Sequence, residues 1–425
     1  MQRLAAGAAF AAAMISFVSA PAAAAAGSAD LTPAVGVERF LGARRQQPLW
    51  LADPAATQLL IERLRTAELD GFARGPALAD AATAAVARAQ GGNRRAARDA
   101  ERLLTSSWLA YVQTLRRPAG GMEFADPGLA PAIPTADQVL GDLARASSLA
   151  LHVRTVSAVN PTYAALRQAA VDAGADPVSR ARLQGNLDRA RMLPAGGRFI
   201  LVDLASQRLS MMEAGRPVDS MKVVVGKTDM PTPLLAGTVV RATFNPYWNI
   251  PVDLVAHSVA PAVLKNGLRW FAAKHYQALS SWGGDARVLD PATVDWQAVA
   301  DGRTELRVRQ LPGRGNMMGA MKFEFPNTHG IYLHDTPERA LFARPVRTYS
   351  SGCVRLEDAP RLGRWLLGRE PVADSSQPEL TVALPRPVPV YLTYLTAKVE
   401  DGRLAFIDDI YGLDAPKPEQ RLASQ

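Results

Sequence analysis

A chain of 425 residues with 48% apolar and 21% charged side chains can bury full cores, which excludes wholesale disorder and fits two domains with room for an extra subdomain. Its formal net charge of +8 is spread thinly, with arginines alternating with acids along the helical segments, so it favours polyanions in general and specifies no partner. One cysteine, Cys353, excludes an internal disulfide and any cysteine-built zinc cluster.

Met1 to about Ala26 reads as a cleavable secretory signal: Arg3 is its only charge, Leu4 to Ala20 is apolar and small, and Ala24-Ala25-Ala26 supplies the cleavage pattern. The alternative is a permanent anchor, but a stretch rich in Ala and Gly and broken by Pro21 makes a weak spanning helix. No later segment is long and uncharged enough to cross a membrane. The mature protein is expected in an oxidising periplasm, where nucleic acid is not an available partner.

Residues 27–194 predict a helical scaffold domain. Asp53-Pro54 caps and starts a helix whose stripe is Leu59, Leu60 and Leu64, and Asp70-Gly71 ends it. Further helices are expected over 76–90, 94–116, 135–157, 161–174 after Asn160-Pro161, and 178–192, with a Pro/Gly-rich connection over 118–134. None gathers a convergent set of chemical groups, so this half reads as support.

At Pro194-Ala195-Gly196-Gly197 the period changes from helical to alternating. Strands are predicted at 199–204, 208–213, 220–225, 239–244, 321–325, 330–334, 388–398 and 403–407, the last two flanking a hairpin signal at Glu400-Asp401-Gly402. The class is therefore α+β: helical scaffold first, then a β-rich domain over 195–413, with 414–425 as a disordered tail. Between 252 and 315 the strand rhythm is lost, and Trp270, Trp282 and Trp296 fall in that segment. It reads either as a lid over a site or as a decorative helical subdomain.

Cys353 lies in Ser350-Ser351-Gly352-Cys353-Val354-Arg355, 19 residues after His334. A lone cysteine in an exported protein is idle, intermolecular or a working thiol. Gly352 permits close backbone approach and Arg355 supplies a cation, and both favour the working thiol. Along Gly330–His334 alternation puts Gly330, Tyr332 and His334 toward a cleft and Ile331 and Leu333 into the core. His329 then faces elsewhere, and no ligand spacing for a metal occurs, so no metal or other cofactor is expected. A free thiol is only a few per cent thiolate near neutrality. An imidazole could take its proton during attack or hold the two as an ion pair. Gly352 and the Cys353 N–H are candidate donors to an oxyanion; Arg355 could favour the thiolate or bind a substrate carboxylate. Asp358, followed by Pro360, caps a helix that braces this loop. Spacing alone leaves open a buried structural cysteine and a structural histidine.

Phe325-Pro326-Asn327, Ile331-Tyr332-Leu333-His334-Asp335-Thr336-Pro337 and the Ser350–Arg355 segment together resemble the catalytic signature of L,D-transpeptidases with a YkuD-type domain, most closely the larger YcbB-type members. The resemblance extends to Val223-Val224-Val225-Gly226-Lys227, Pro231-Thr232-Pro233 and Phe244–Pro251, and more loosely to Pro48-Leu49-Trp50 and Glu68–Phe72 in the scaffold half. Ser351 stands where many members carry histidine, and the short span from Gly174 to Gly197 leaves no space for a separate wall-binding module.

The resemblance implies a cysteine acyltransferase in peptidoglycan biosynthesis, with stem peptides as donor and acceptor and carbapenems as inhibitors. Cys353 would attack the carbonyl between the third residue of a tetrapeptide stem and its terminal D-alanine. His334 would be base and then acid, oriented by the main-chain oxygen of Asp335. The amine of a second stem would resolve the thioester into a 3→3 cross-link. Tyr332, Trp248, Asn249, Ser351, Gly352 and Arg355 are the candidate cleft or oxyanion-loop residues. The rivals are an L,D-carboxypeptidase using water, a papain-like peptidase (whose cysteine would precede its histidine) and a non-catalytic wall-binding protein.

Overall fold

The structure is a computed structural model describing residues 32–414 apart from 46, 119–120, 175–176 and 373–375. The expected signal, Met1–Ala26, and residues 415–425 of the expected tail lie outside the described residues. No helix among the described residues is long and apolar enough to cross a membrane.

The first half is helical: α1 (Thr32–Ala43), α2 (Pro54–Arg65), α3 (Gly75–Ala89), α4 (Arg94–Leu115), α5 (Ala136–Arg145), α6 (Leu149–Ala158), α7 (Pro161–Ala173) and α8 (Pro177–Ala190). The caps act as their residue types dictate. Asp53 accepts from Ala56 N–H and Asn160 from Tyr163 N–H, each ahead of a proline at the helix start. Helix α1 was not anticipated. The single helix expected over 135–157 is two, because the Ser148 hydroxyl accepts from Leu151 N–H and starts a new helix there. Trp50, Trp108, Tyr111 and Tyr163 fill the core. Within it the buried Asp70–Arg167 pair takes further hydrogen bonds from the Tyr111 and Tyr163 hydroxyls.

The second half is built on β1 (Glu123–Phe124), β2 (Phe199–Asp203), β3 (Arg208–Glu213), β4 (Arg216–Gly226), β5 (Leu235–Phe244), β6 (Trp248–Ile250), β7 (Tyr276–Leu279), β8 (Val288–Leu289), β9 (Arg307–Gln310), β10 (Met321–Glu324), β11 (Leu333–His334), β12 (Thr348–Ser350), β13 (Val354–Leu356), β14 (Leu380–Thr393), β15 (Ala397–Glu400) and β16 (Arg403–Phe406). The main sheet runs β1-β5-β10-β11-β13-β4-β3-β2-β14, and the long β14 also pairs with β5, so the sheet closes around an apolar interior. Strand β1, inside the expected loop 118–134, adds in parallel to β5 and ties the scaffold to this barrel. The strand expected over 388–398 ends at Thr393, where the Leu395 N–H turns to the Asp203 carboxylate at 2.9 Å. A separate hairpin of β15 and β16 then turns at Asp401-Gly402. The Ala359–Leu367 helix is capped by Asp358 and buries Leu362 and Leu366 in the barrel core.

The insertion is a subdomain with its own core, including Ile250, Val255, Phe271, Trp296 and Val308. It is not purely helical: β6-β9-β7-β8 form a four-stranded sheet. These strands run two to four residues, too short for alternation to show in the sequence. Trp282 stays 46% exposed in the loop between β7 and β8. Asp414, expected to begin the tail, is held by Arg182 and Arg189 of α8, so the packed body reaches at least that far.

Candidate active site

The site is assembled from β10, β11 and β13. Strand β10 alternates apolar Met321 and Phe323 with charged Lys322 and Glu324. In the ladder Lys322 pairs with His334 of β11, and His334 with Arg355 of β13. Paired residues project to one face of a sheet, so Lys322, His334 and Arg355 form a polar row with a cation on either side of the imidazole. Cys353 immediately precedes β13, and the Val354 N–H donates to the Tyr332 carbonyl at 3.0 Å, extending the pairing by one step. Tyr332 and Cys353 therefore face the same way as His334, with the thiol on the diagonal from the imidazole. The expected strand from Gly330 shortens to Leu333–His334, yet Ile331 and Leu333 are buried as alternation required. His329 turns away, to Glu123.

His334 is 4% exposed, and its Nδ1 lies 2.5 Å from the Asp335 main-chain oxygen. A carbonyl only accepts, so Nδ1 carries the proton and Nε2 keeps a lone pair for the thiol's face. The Asp335 carboxylate does different work: it accepts from Ala320 N–H at 2.8 Å and from Arg339 at 2.5 Å, pinning the chain that supplies the carbonyl. Burial, aided by the charges of Arg355 and Lys322, pushes the imidazole pKa down to about 3 against the opposing bond to Asp335.

Cys353 retains partial exposure, and its thiol donates to the Gly330 carbonyl at 3.7 Å; among the described residues it makes no hydrogen bond to His334. Its packed surroundings push the thiol pKa up, moderated by a backbone bond with Tyr332 and by Arg355. The site thus holds a neutral thiol and a neutral imidazole on one face of the sheet, with no hydrogen bond between them among the described residues. The sole cysteine makes this measurable by intact mass. Alkylation by iodoacetamide should keep accelerating through pH 9; a rate already flat from pH 6 would instead mean a preformed thiolate–imidazolium pair.

The loop before Cys353 is fixed by Ser350, whose hydroxyl donates to Cys353 O at 2.5 Å and accepts from Gly352 N–H at 3.2 Å. This corrects one expectation: the Gly352 N–H is engaged and is not a free oxyanion donor. The Cys353 N–H has no acceptor among the described residues. Gly352 has φ +108°, a conformation that L side chains rarely adopt, and a Cβ there would crowd Ile331 at 3.2 Å. Ser351 is exposed.

Arg355 forms an ion pair with Glu338. Tyr332 is half-buried with Lys322 Nζ 5.4 Å from its ring centroid. Trp248 and Asn249 sit on β6, where Trp248 packs against the insertion core and Asn249 is exposed beside Arg309; neither contacts the thiol loop in a hydrogen bond among the described residues. Lys322 was not foreseen. Its ammonium lies 3.3 Å from Glu324 and 3.4 Å from Glu379, and the signal available was the apolar–charged alternation of Met321–Glu324.

A tautomer-locked imidazole on the same sheet face as a partly exposed thiol is an arrangement of cysteine acyl-transfer centres. Comparison with known proteins gives the family. Residues 197–374 match the YkuD family, the L,D-transpeptidase catalytic domain, and residues 36–169 match the Scaffold domain. The chain thus carries a YkuD-type L,D-transpeptidase catalytic domain together with a Scaffold domain, a YcbB-like architecture, which supports a function in peptidoglycan metabolism. A Haemophilus influenzae protein named "Putative L,D-transpeptidase" is 28% identical over 388 residues, covering 88% of this chain and 77% of that one. An L,D-transpeptidase structure from Mycobacterium smegmatis is 12% identical, with a TM-score of 0.24, over 47% of this chain and 59% of that one. That of L,D-transpeptidase 3 from Mycobacterium tuberculosis, in complex with a faropenem-derived adduct, is 14% identical, with a TM-score of 0.21, over 47% and 61%. The chain thus aligns with under two thirds of either solved chain.

Proposed function

We propose that the protein is a periplasmic, signal-exported L,D-transpeptidase that forms 3→3 cross-links through a thioester on Cys353. The observation that carries this reading is the His334 Nδ1 bond to Asp335 O, which leaves Nε2 free on the thiol's face. Nε2 takes the thiol proton as sulfur attacks the carbonyl between the third stem residue and D-alanine. The tetrahedral oxyanion is met by the Cys353 N–H. The imidazolium returns the proton to the departing D-alanine amine, leaving the thioester. An acceptor stem's side-chain amine then attacks the thioester and gives a proton to Nε2, restoring the free thiol. Arg355, held by Glu338, biases the thiol toward ionisation from the same face, and Tyr332 walls the cleft.

The test is intact-protein mass spectrometry with a carbapenem, followed by product analysis on a disaccharide-tetrapeptide. A stoichiometric adduct lost in Cys353→Ala, with cross-linked dimer made only by the native chain, is the expected result. An adduct or dimer persisting in Cys353→Ala would overturn the reading, and product confined to free tripeptide would make the protein a carboxypeptidase.

A further inference from the structure

A chain of hydrogen bonds starts at the C-terminal segment, passes through Gly226 at the end of β4, and ends at Gly352, one residue before Cys353. The Tyr411 hydroxyl donates to Gly226 O at 2.6 Å. The Gly226 N–H donates to Thr232 Oγ1 at 2.9 Å, and that hydroxyl donates to Gly352 O at 2.8 Å. The junction has no slack: a Cβ on Gly226 would lie 2.3 Å from Met230 O and 2.5 Å from Thr232 N.

Tyr411 is itself held from two sides. Its ring stacks on Tyr394, with centroids 5.5 Å apart and planes 14° apart, and its N–H donates to the Tyr394 hydroxyl at 2.9 Å. That hydroxyl donates to Asp409 at 2.7 Å, and Asp409 also accepts from the N–H groups of Leu413 and Asp414 at 2.9 and 3.0 Å. Asp414 then receives Arg182 at 2.7 Å and Arg189 at 2.5 Å, both from α8 of the helical half.

We infer that Tyr411 is a positioning residue for the nucleophile loop, and that the 409–414 segment is a strap transmitting the seating of helix α8 to Gly352 and Cys353. This builds on the acyl-transfer reading above and adds a residue no sequence motif contained. The phenol fixes the Gly226 carbonyl, Gly226 fixes Thr232, and Thr232 fixes the peptide that sets the sulfur's direction. Misplacement of a reacting atom by about 1 Å can cost about 10²-fold, so one lost link in a partly redundant loop should cost about tenfold.

The experiment uses the full chain with Tyr411→Phe, which keeps the ring stack and deletes only the hydroxyl. Turnover of disaccharide-tetrapeptide should show kcat down about tenfold with KM within twofold. Iodoacetamide alkylation of the sole thiol, followed by intact mass, should be several-fold faster because the loop relaxes toward solvent. A merely structural phenol would lower Tm and leave both rates at 25 °C untouched. Thr232→Val should reproduce both changes, Thr232→Ser should restore them, and the Tyr411→Phe/Thr232→Val pair should be no worse than the worse single variant. Unchanged kcat and alkylation in either folded single variant, or additive losses in the pair, would overturn the strap. Should the native chain fail to turn over stem peptide, the acyl-transfer reading falls, while the alkylation series still decides the positioning role.

Discussion

Replacing His334 with glutamine should lower kcat by about 10²–10⁴ while making the folded protein less sensitive to acid, two opposite effects from one ring. The activity loss follows from removing the imidazole whose Nε2 lone pair lies on the thiol's face; glutamine can still donate to Asp335 O, but it cannot take a proton. The stability effect follows from burial. In the unfolded chain the imidazole binds a proton below about pH 6.5, whereas in the folded chain its pKa is pushed down to about 3. Between those values the unfolded state holds more protons, so native stability falls as pH falls, with a slope of at most about 1.4 kcal/mol per pH unit for this one group. Above about pH 6.5 the contribution is constant. Urea midpoints of both proteins at pH 7 and pH 5 provide the measurement. The variant should lose less stability on acidification than the native chain. Equal losses would mean that His334 is already charged in the folded protein, and the neutral-pair description of the site would fail with it.

What the sequence disclosed was whatever depends on short-range chemistry. Asp53, Asn160 and Asp358 mark helix starts because a side-chain oxygen before a helix has a backbone donor to satisfy, and each does so. The hairpin at Asp401-Gly402 forms because both positions need φ above zero, and they have +49° and +75°. The same locality explains the orientation of Ile331 and Leu333. What escaped is set by tertiary partners. Ser350 takes the Gly352 N–H that looked available to an oxyanion, since nothing in the loop's composition says which acceptor wins. Lys322 joins the site only because β10 lies beside β11, a pairing that alternation cannot assign. Trp248 and Asn249 lie within the Phe244–Pro251 segment, and only the pairing of β6 with β9 shows that they stand on the insertion's sheet. The resemblance supplied the orienting carbonyl of Asp335; backbone geometry around one residue could not have been read from residue types.

Excising the insertion should shift product from cross-linked dimer to free tripeptide while leaving acylation by a carbapenem intact. The graft is defined by the ladder: Ile250 of β6 pairs with Val308 of β9, so an Asn-Gly turn can join these strands directly, with Ile250→Thr and Val308→Thr replacing the uncovered apolar pair. The insertion leaves after β5 and returns ahead of β10, and its returning segment reaches the catalytic end of the sheet, where Ala320 N–H meets the Asp335 carboxylate. A subdomain rooted there is taken as a lid over the proposed thioester. Partition then depends on effective concentration. Water is abundant, and an amine prevails only where a cleft holds it near the carbonyl and excludes solvent. Sulfur, imidazole and the Asp335 carbonyl all remain without the insertion, so the thioester should still form and then hydrolyse. The ratio of dimer to tripeptide, measured by chromatography of digested product, should fall at least tenfold. An unchanged ratio in a variant that still takes the carbapenem adduct would make the insertion a peripheral subdomain and place acceptor selection on Tyr332 and the barrel rim.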